Sequence, residues 1–410
     1  MDAQTTKTEV TDPETARMIR VLFLNSSVSG GGAGKALIPL ISALDPKRIE
    51  SHVVIPFDGV VGDRLREIGA VLHYYPFMAE RFGRAYLPVP RFLRFGNLER
   101  ALNIALFPKI IFDLRPLVRG LEIDAIYANH QIHVPVAIGL GRLTGKPVIL
   151  HSREVLTGFG GWLFRCLARS PAVKTIVAIS RVAAKNYRPT GKTKIILDAL
   201  DMDAYAAPVQ PALRKELGLS SDRKIVGFMG RLVERKGVPV LMEAFARVAR
   251  EIPSSILVVV GGNDPGSRVD LLDLYRKKAR ALGIEKSAFF VGFRRDPRPF
   301  TADFDVAVMP STDPEPFGLV APEAMALGIP TIVSDNSGAA EVLRDGIDGF
   351  LFKTRSAEDL SRVILALLKN ETLRRRVGQE GRRKAFELFG SKNYGREMTQ
   401  TILNAAGSAA

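Results

Sequence analysis

The sequence predicts an α/β protein built from two Rossmann-like, doubly wound domains that face each other across a cleft. Three observations carry that expectation. Short apolar runs alternate with helix-length segments along the whole chain, the rhythm of parallel strands joined by crossover helices. The chain has 410 residues, more than one hydrophobic core ordinarily organises. The rhythm lapses between about Asp198 and Leu219, in a stretch rich in Ala, Pro and Asp that reads as an interdomain linker.

Residues 1–17 are polar and acidic, unlike a signal peptide, and are expected to form a disordered tail. IRVLFLN (Ile19–Asn25) reads as a buried strand, followed by SSVSGGGAG and a helix from about Lys35 to Leu44. HVVIPF, AVLHYY, AIYAN, PVILH and TIVAIS are further strands of a first domain over residues 18–198. Residues 199–219 form the linker. KIVGFMG, SILVVVGG, AFFVGF, VAVMP, TIVS and GFLF then supply the strands of a second domain, residues 220–389. A Gly-Ser break leads into a last helix near Lys392–Ala405, and residues 390–410 are placed to cross back to the first domain. In such folds ligands bind beyond the strand C-terminal edges.

Composition bounds the function. An apolar share of 46% and a charged share of 25% are ordinary for a globular protein. Cys166 is the sole cysteine, which excludes an internal disulfide and suits a reducing compartment. No apolar run approaches the roughly 18–20 residues needed to span a bilayer. A cytoplasmic protein is expected. The net charge of +15 is uneven: residues 1–200 carry 27 Lys and Arg against 16 Asp and Glu, the remainder 31 against 27. A basic first half suits an anionic partner, though a merely solubilising surface fits the same counts. The segment Arg81–Arg119 holds eight cations interleaved with Phe and Leu, and only Glu99 and Asp113 as acids. It reads either as a surface docking on anionic lipid, peripheral to the inner face of the plasma membrane, or as a helical insertion packed on its own domain. No nucleic-acid module is visible, so no specific nucleic-acid partner is expected.

The densest chemistry lies in MPSTDPEPFGLVAPEAMALGIPTIVSDNSGAAEVLRDG, Met309–Gly346. Pro322 fits only a first helical turn, so a helix is predicted to start near Leu319–Ala321 and to stop at Gly328, before Pro330. Glu323 is then a first-turn acid. Glu315, with seven residues between the two, stands on the loop facing that helix's N-terminus. Backbone N–H groups near Gly318, Leu319 and Val320 would favour an anion in the same space. GRLVERKG follows the strand KIVGFM and brings Arg231 and Lys236 to a strand-to-helix turn after Gly230, a fork and a point charge suited to a diphosphate. SGGGAGK fails as a triphosphate loop: Gly30 to Gly34 encloses three residues and Ala36 replaces the magnesium-holding hydroxyl. Its glycines, Gly31 and Gly32 among them, still permit close approach of a ligand. Asp201-Met-Asp203 and Asp303-Phe-Asp305 are read as chance carboxylate triplets, and no histidine spacing suggests zinc, so no metal site is expected. His151 ends the strand PVIL at the ligand-binding edge.

Together these segments resemble the retaining GT-B glycosyltransferases of the family 4 type, the glycosyl transferases group 1. The likeness runs over nearly the whole chain and is strongest from Gly230 to Phe350, with weaker echoes in SGGGAG, VILHS, VAISR and LDALDMDAY. It implies a nucleotide diphosphate-sugar donor, no cofactor or required metal, and a cell-surface glycan or lipid-linked acceptor chosen by the first domain. By the same resemblance Arg231 and Lys236 neutralise the diphosphate, Glu323 holds the ribose, and Glu315 holds the transferred sugar near the N–H groups of Phe317–Val320. His151 and Gly31–Gly32 close over that sugar, and Val291–Arg294 border the base. LDALD departs from the usual Asn-Gly-Val-Asp turn at Asp198 and Ala199, and VVVGGND lacks the usual second Gly-x-Gly spacing. A non-catalytic nucleotide-sugar sensor or scaffold on the same fold is the alternative reading.

Overall fold

The computed structural model describes residues 17–26, 32–76, 106–187, 191–263 and 269–407. They form two wholly parallel sheets. The first orders its strands β3-β2-β1-β4-β5-β6-β7, with β1 at Ile19–Leu24, β2 at Ile49–Ile55, β3 at Val71–Tyr74, β4 at Ala125–Ala128, β5 at Val148–Ser152, β6 at Val173–Ala178 and β7 at Thr193–Ile195. The second runs β10-β9-β8-β11-β12-β13, with β8 at Lys224–Met229, β9 at Ser255–Val260, β10 at Ala288–Gly292, β11 at Val306–Met309, β12 at Thr331–Ser334 and β13 at Phe350–Phe352. In each sheet the strand order reverses beside the first strand, at β1/β4 and at β8/β11, which opens a crevice at the C-terminal edge.

Every apolar run read as a strand is one. β4 and β9 are buried along their whole length, as expected where helices cover both faces of a parallel sheet. β7 was not foreseen: at three residues, on an edge, its apolar pattern is too short to stand out. The first helix, α1 (Gly32–Ala43), begins three residues before the predicted Lys35, because the glycines continue the helix instead of forming a longer loop. Helices α2 (Val60–Glu67), α3 (Phe107–Gly120), α4 (Val134–Thr144), α5 (Gly158–Ala168) and the single turn α6 (Arg181–Ala184) complete the first domain. In α3 the residues Ile110, Leu114 and Val118 recur at i, i+4, i+8 and are buried in the core, while Phe112 stays 61% exposed. The rest of the basic segment, residues 81–105, lies outside the described residues.

The stretch read as a linker carries two short helices, α7 (Met202–Ala206) and α8 (Leu213–Leu217). Asp201 caps α7 by accepting from Ala204 N at 3.2 Å, and Asp303 accepts from Arg214 N at 2.9 Å, so both carboxylate triplets serve local structure. The second domain adds α9 (Val238–Glu251), α10 (Leu271–Ala281), α11 (Arg298–Thr301), α12 (Val320–Ala326), α13 (Ala357–Lys369) and α14 (Glu371–Leu388). The last helix, α15 (Ser391–Gly407), packs Tyr394, Met398, Ile402 and Ala405 into the core of the first domain, against α1. No helix among the described residues is long and apolar enough to cross a membrane.

One glycine fixes the relation between two loops of the second domain. Gly237 has φ 69°, and a Cβ there would sit 1.9 Å from Pro310 O. Close approach is needed because Thr312 N donates to Arg235 O at 2.9 Å, joining the turn after β8 to the loop after β11. Gly237→Ala combines a left-handed backbone with a backbone clash and should cost about 2–4 kcal/mol. A urea midpoint unchanged from wild type would show that the two loops separate without penalty.

Candidate active site

The loop after β11 and the turn after β8 bring four side chains together. Glu315, with a side chain only 7% exposed, accepts from Lys236 Nζ at 2.8 Å, Arg235 Nη1 at 3.0 Å and Ser311 Oγ at 3.1 Å. All three bonds end on Oε2. Burial works to raise the Glu315 carboxyl, but Lys236 and Arg235 hold it below the ordinary carboxylate range. Burial pushes the Lys236 ammonium below the usual lysine range, and Arg235 and Arg231 push the same way, against the pull of Glu315.

Two residues in this cluster were not selected from the sequence. Arg235 stands between the two cations that spacing picked out, and the signal, a third cation in GRLVERKG, was present. Glu154, after β5 in the first domain, accepts from His130 Nε2 at 2.8 Å. Burial works to raise its carboxyl, while His130, Arg235 and Arg231 lower it, so the first domain's edge places an acid in the field of the second domain's guanidiniums. Nothing in the local sequence marks Glu154, because its hydrogen-bond partner is 24 residues away and the guanidiniums that act on it lie about 80 residues along the chain. Arg231 itself is exposed at the head of the turn, and Gly230, just after β8, donates its N–H to Val260 O at 3.0 Å.

Glu323 lies in the first turn of α12, which starts at Val320 with Leu319 at its cap and is followed by Gly328 at φ 78°. Its carboxylate acts on Tyr205 of α7, whose phenol is pushed up first by burial and then by Glu323. Gly318 has φ 84°, and a Cβ there would meet Met309 Sδ at 2.2 Å, so only glycine brings the chain from Glu315 into α12 on this path. In the first turn of α12 Ala321 N donates to Gly318 O at 2.9 Å and Glu323 N to Leu319 O at 3.0 Å, and Pro322 has no N–H to donate. Val291 packs against the core under β8 and β9. Arg294 pairs with Glu216 and lays its guanidinium 4.6 Å from the Phe300 ring centroid. Gly31 lies outside the described residues, and Gly32 is the first residue of α1.

His151, expected to close over the transferred sugar, lies inside the first domain at the end of β5. Its side chain is 0% exposed, with Nδ1 2.5 Å from Tyr127 Oη and Nε2 3.5 Å from Asp198 Oδ1. It points to the same face as Ile149, the face covered by α1 and α15, because side chains alternate along β5. Burial first, then Arg153, pushes the imidazole down to about 3, so it is neutral near pH 7. Around it Arg153 donates to Asp198 at 2.7 and 3.1 Å and to Asn129 Oδ1 at 2.7 Å, and Tyr394 Oη donates to Asp198 at 3.3 Å. Asp198 is thus a buried anchor joining β5, the end of β7 and α15. Among the described residues no group of three or more His, Cys, Asp or Glu is arranged to hold a metal ion.

Comparison with known proteins agrees with this layout. Residues 209–384 match the family model of glycosyl transferases group 1. The chain is 34% identical over 168 residues to the lipopolysaccharide core biosynthesis glycosyltransferase LpsE of Rhizobium meliloti, covering 41% of this chain and 46% of that protein. It is 28% identical over 222 residues to a D-inositol 3-phosphate glycosyltransferase of Kribbella flavida, covering 52% and 50%. The chain therefore spans about half the length of these curated relatives. The crystal structure of Anabaena HepE in complex with UDP and glucose superposes with a TM-score of 0.76 at 24% identity, over 94% of this chain and all of that one. The fold is that of the GT-B glycosyltransferases: two Rossmann-like α/β domains, each built on a parallel sheet.

Proposed function

We propose that this chain, whose second domain carries the glycosyl transferases group 1 region, is a retaining, metal-independent glycosyltransferase. It moves a hexosyl group from a nucleoside diphosphate-sugar to a cell-surface glycan or lipid-linked acceptor. The observation that carries the reading is the cluster on Glu315: two cations and a hydroxyl fixed on one carboxylate oxygen, beside a helix N-terminus, with Arg231 nearby. The names of the matched relatives, one assigned to lipopolysaccharide core biosynthesis, support the substrate class.

The chemistry follows from charge. As the bond from the sugar's anomeric carbon to the β-phosphate breaks, negative charge grows on the phosphate and positive charge on the sugar. Arg231, Arg235 and Lys236 stabilise the departing diphosphate without reorganising. Glu315 keeps Oε1 outside its three bonds, and that oxygen accepts from hydroxyls of the sugar in transit. The backbone N–H groups of Gly318, Leu319 and Val320 serve the phosphates. Glu323 accepts from the ribose hydroxyls, with Val291 and Arg294 toward the base and Gly230, Gly31 and Gly32 permitting close approach. His151, buried as it is, acts through Tyr127, Asp198 and Arg153 on the shape of the first domain's edge, where the acceptor binds. The basic first domain holds the enzyme peripherally on anionic lipid at the cytoplasmic face.

Calorimetry against UDP-, GDP- and ADP-sugars tests the donor. One of them should bind, and Glu323→Ala should weaken it about 10- to 100-fold, the worth of charge-assisted hydrogen bonds. Unchanged nucleotide affinity in that variant removes Glu323 from the ribose site. NMR of the product reads retention directly, turnover in excess chelator reads metal independence, and flotation with anionic against neutral liposomes reads the membrane claim. Tight nucleotide binding without transfer to any acceptor would favour the sensor reading instead.

A further inference from the structure

We infer that Glu341 is a positioning residue: it clamps the two domains together and through its loop fixes the backbone of Glu315. The contact joins residues 160 positions apart. Glu341 ends the short 3-10 turn Gly338–Glu341 of the second domain, and its carboxylate accepts from Arg181 N at 2.7 Å and from Val182 N at 2.8 Å, one bond to each oxygen. Those are the first two N–H groups of α6 in the first domain, which helix geometry leaves without partners. Ser180, the cap of α6, donates its hydroxyl to Pro316 O, so the clamp has a second point on the loop that carries Glu315.

The other side of the same turn is bonded to that loop. Gly338 N donates to Glu315 O at 2.9 Å, Ala339 N donates to Phe317 O at 3.2 Å, and Glu315 pairs with Ser337 as an isolated parallel bridge. Packing leaves no slack, since a Cβ on Gly338 would stand 2.1 Å from Pro316 O and 2.7 Å from Ser180 Cβ. Opening the domains therefore pulls on the chain segment whose carboxylate organises Lys236 and Arg235. Glu341 is exposed, at the rim of a buried apolar cluster in which Ile179, Ala183 and Ala184 of the first domain meet Phe317, Ala339 and Leu343 of the second, so its charge-assisted bonds set the angle at which the two domains meet. A buried ion pair in its place would weld the domains shut.

The effect on turnover rests on the proposed glycosyl transfer, whereas the clamp itself does not. Two variants break the same bonds from opposite domains. Glu341→Gln keeps the shape but sets an amide N–H against one of the two donors. Arg181→Pro removes one donated N–H at the first helical position, where proline is tolerated, after a Ser180 that already has extended backbone. Each should lower kcat about tenfold, leave the donor dissociation constant within twofold, preserve the thermal midpoint, and enlarge the radius of gyration of the free protein in small-angle scattering. The double variant should be no worse than either single one. Unchanged scattering in both variants, or a loss of donor affinity that accounts for the fall in turnover, overturns the clamp. Absence of transfer by the wild type from every nucleotide sugar instead overturns the proposed function and leaves the scattering comparison decisive for the clamp.

Discussion

Glu315→Ala should lower kcat/KM by about 10²–10³-fold, the loss found when one preorganised polar group is removed from a reacting centre. The variant loses more than one contact. It removes the shared acceptor of Lys236, Arg235 and Ser311, and leaves Lys236, whose side chain is 13% exposed, without its counter-charge. Stranding a largely buried charge costs about 3–5 kcal/mol, so the second domain should also unfold more readily. Nucleoside diphosphate should bind at least as tightly as before, because its phosphates inherit two cations no longer claimed by a carboxylate. A fall in turnover with retained diphosphate affinity separates a sugar-holding role from a generally damaged site. Near wild-type kcat/KM at sub-saturating donor would remove Glu315 from the reaction.

The difference between Glu315 and Glu154 shows what the sequence could and could not display. Glu315, Glu323, Arg231 and Lys236 sit in the connections after β8 and β11, whose order is fixed by one parallel sheet, so strand periodicity with proline and glycine punctuation places them at one edge. Arg235 was within that frame and was passed over because spacing favours pairs. Glu154 feels the charge of Arg231 and Arg235, and Glu341 bonds the N–H groups of Arg181 and Val182, across the two domains, and no local pattern encodes relations between residues about 80 or 160 positions apart. His151 was read onto the right strand and the right edge. Its burial was not legible, since which face of β5 is covered depends on the helices packed there, and α15 arrives from the far end of the chain.

Asp198→Asn should cost about 3–5 kcal/mol of stability by leaving the Arg153 guanidinium, its side chain 9% exposed, uncompensated. For a domain of this size that corresponds to a thermal midpoint lower by roughly 10 °C, read from the fluorescence of Trp162, the sole tryptophan, on α5 of the first domain. Replacing both partners, with Arg153→Met and Asp198→Leu together, should recover much of the loss, because no charge then remains inside. The same buried network makes the first domain acid-sensitive, and the sign is fixed by linkage. Burial pushes His151 and His133 from 6.5 down to about 3, so each binds its proton more readily once unfolded. Their contribution is complete above pH 6.5 and declines as pH falls toward 3, by about 1.4 kcal/mol per pH unit for each histidine. Asp198 follows lower: burial would raise its carboxyl, Arg153 and His151 hold it down, and its contribution is present above pH 3.8 and lost below. Urea midpoints should therefore hold level from pH 7.5 to about 6.5 and fall from there to pH 4.5, with half the slope in His133→Gln. A midpoint flat across that range would mean that neither ring is held neutral by the fold.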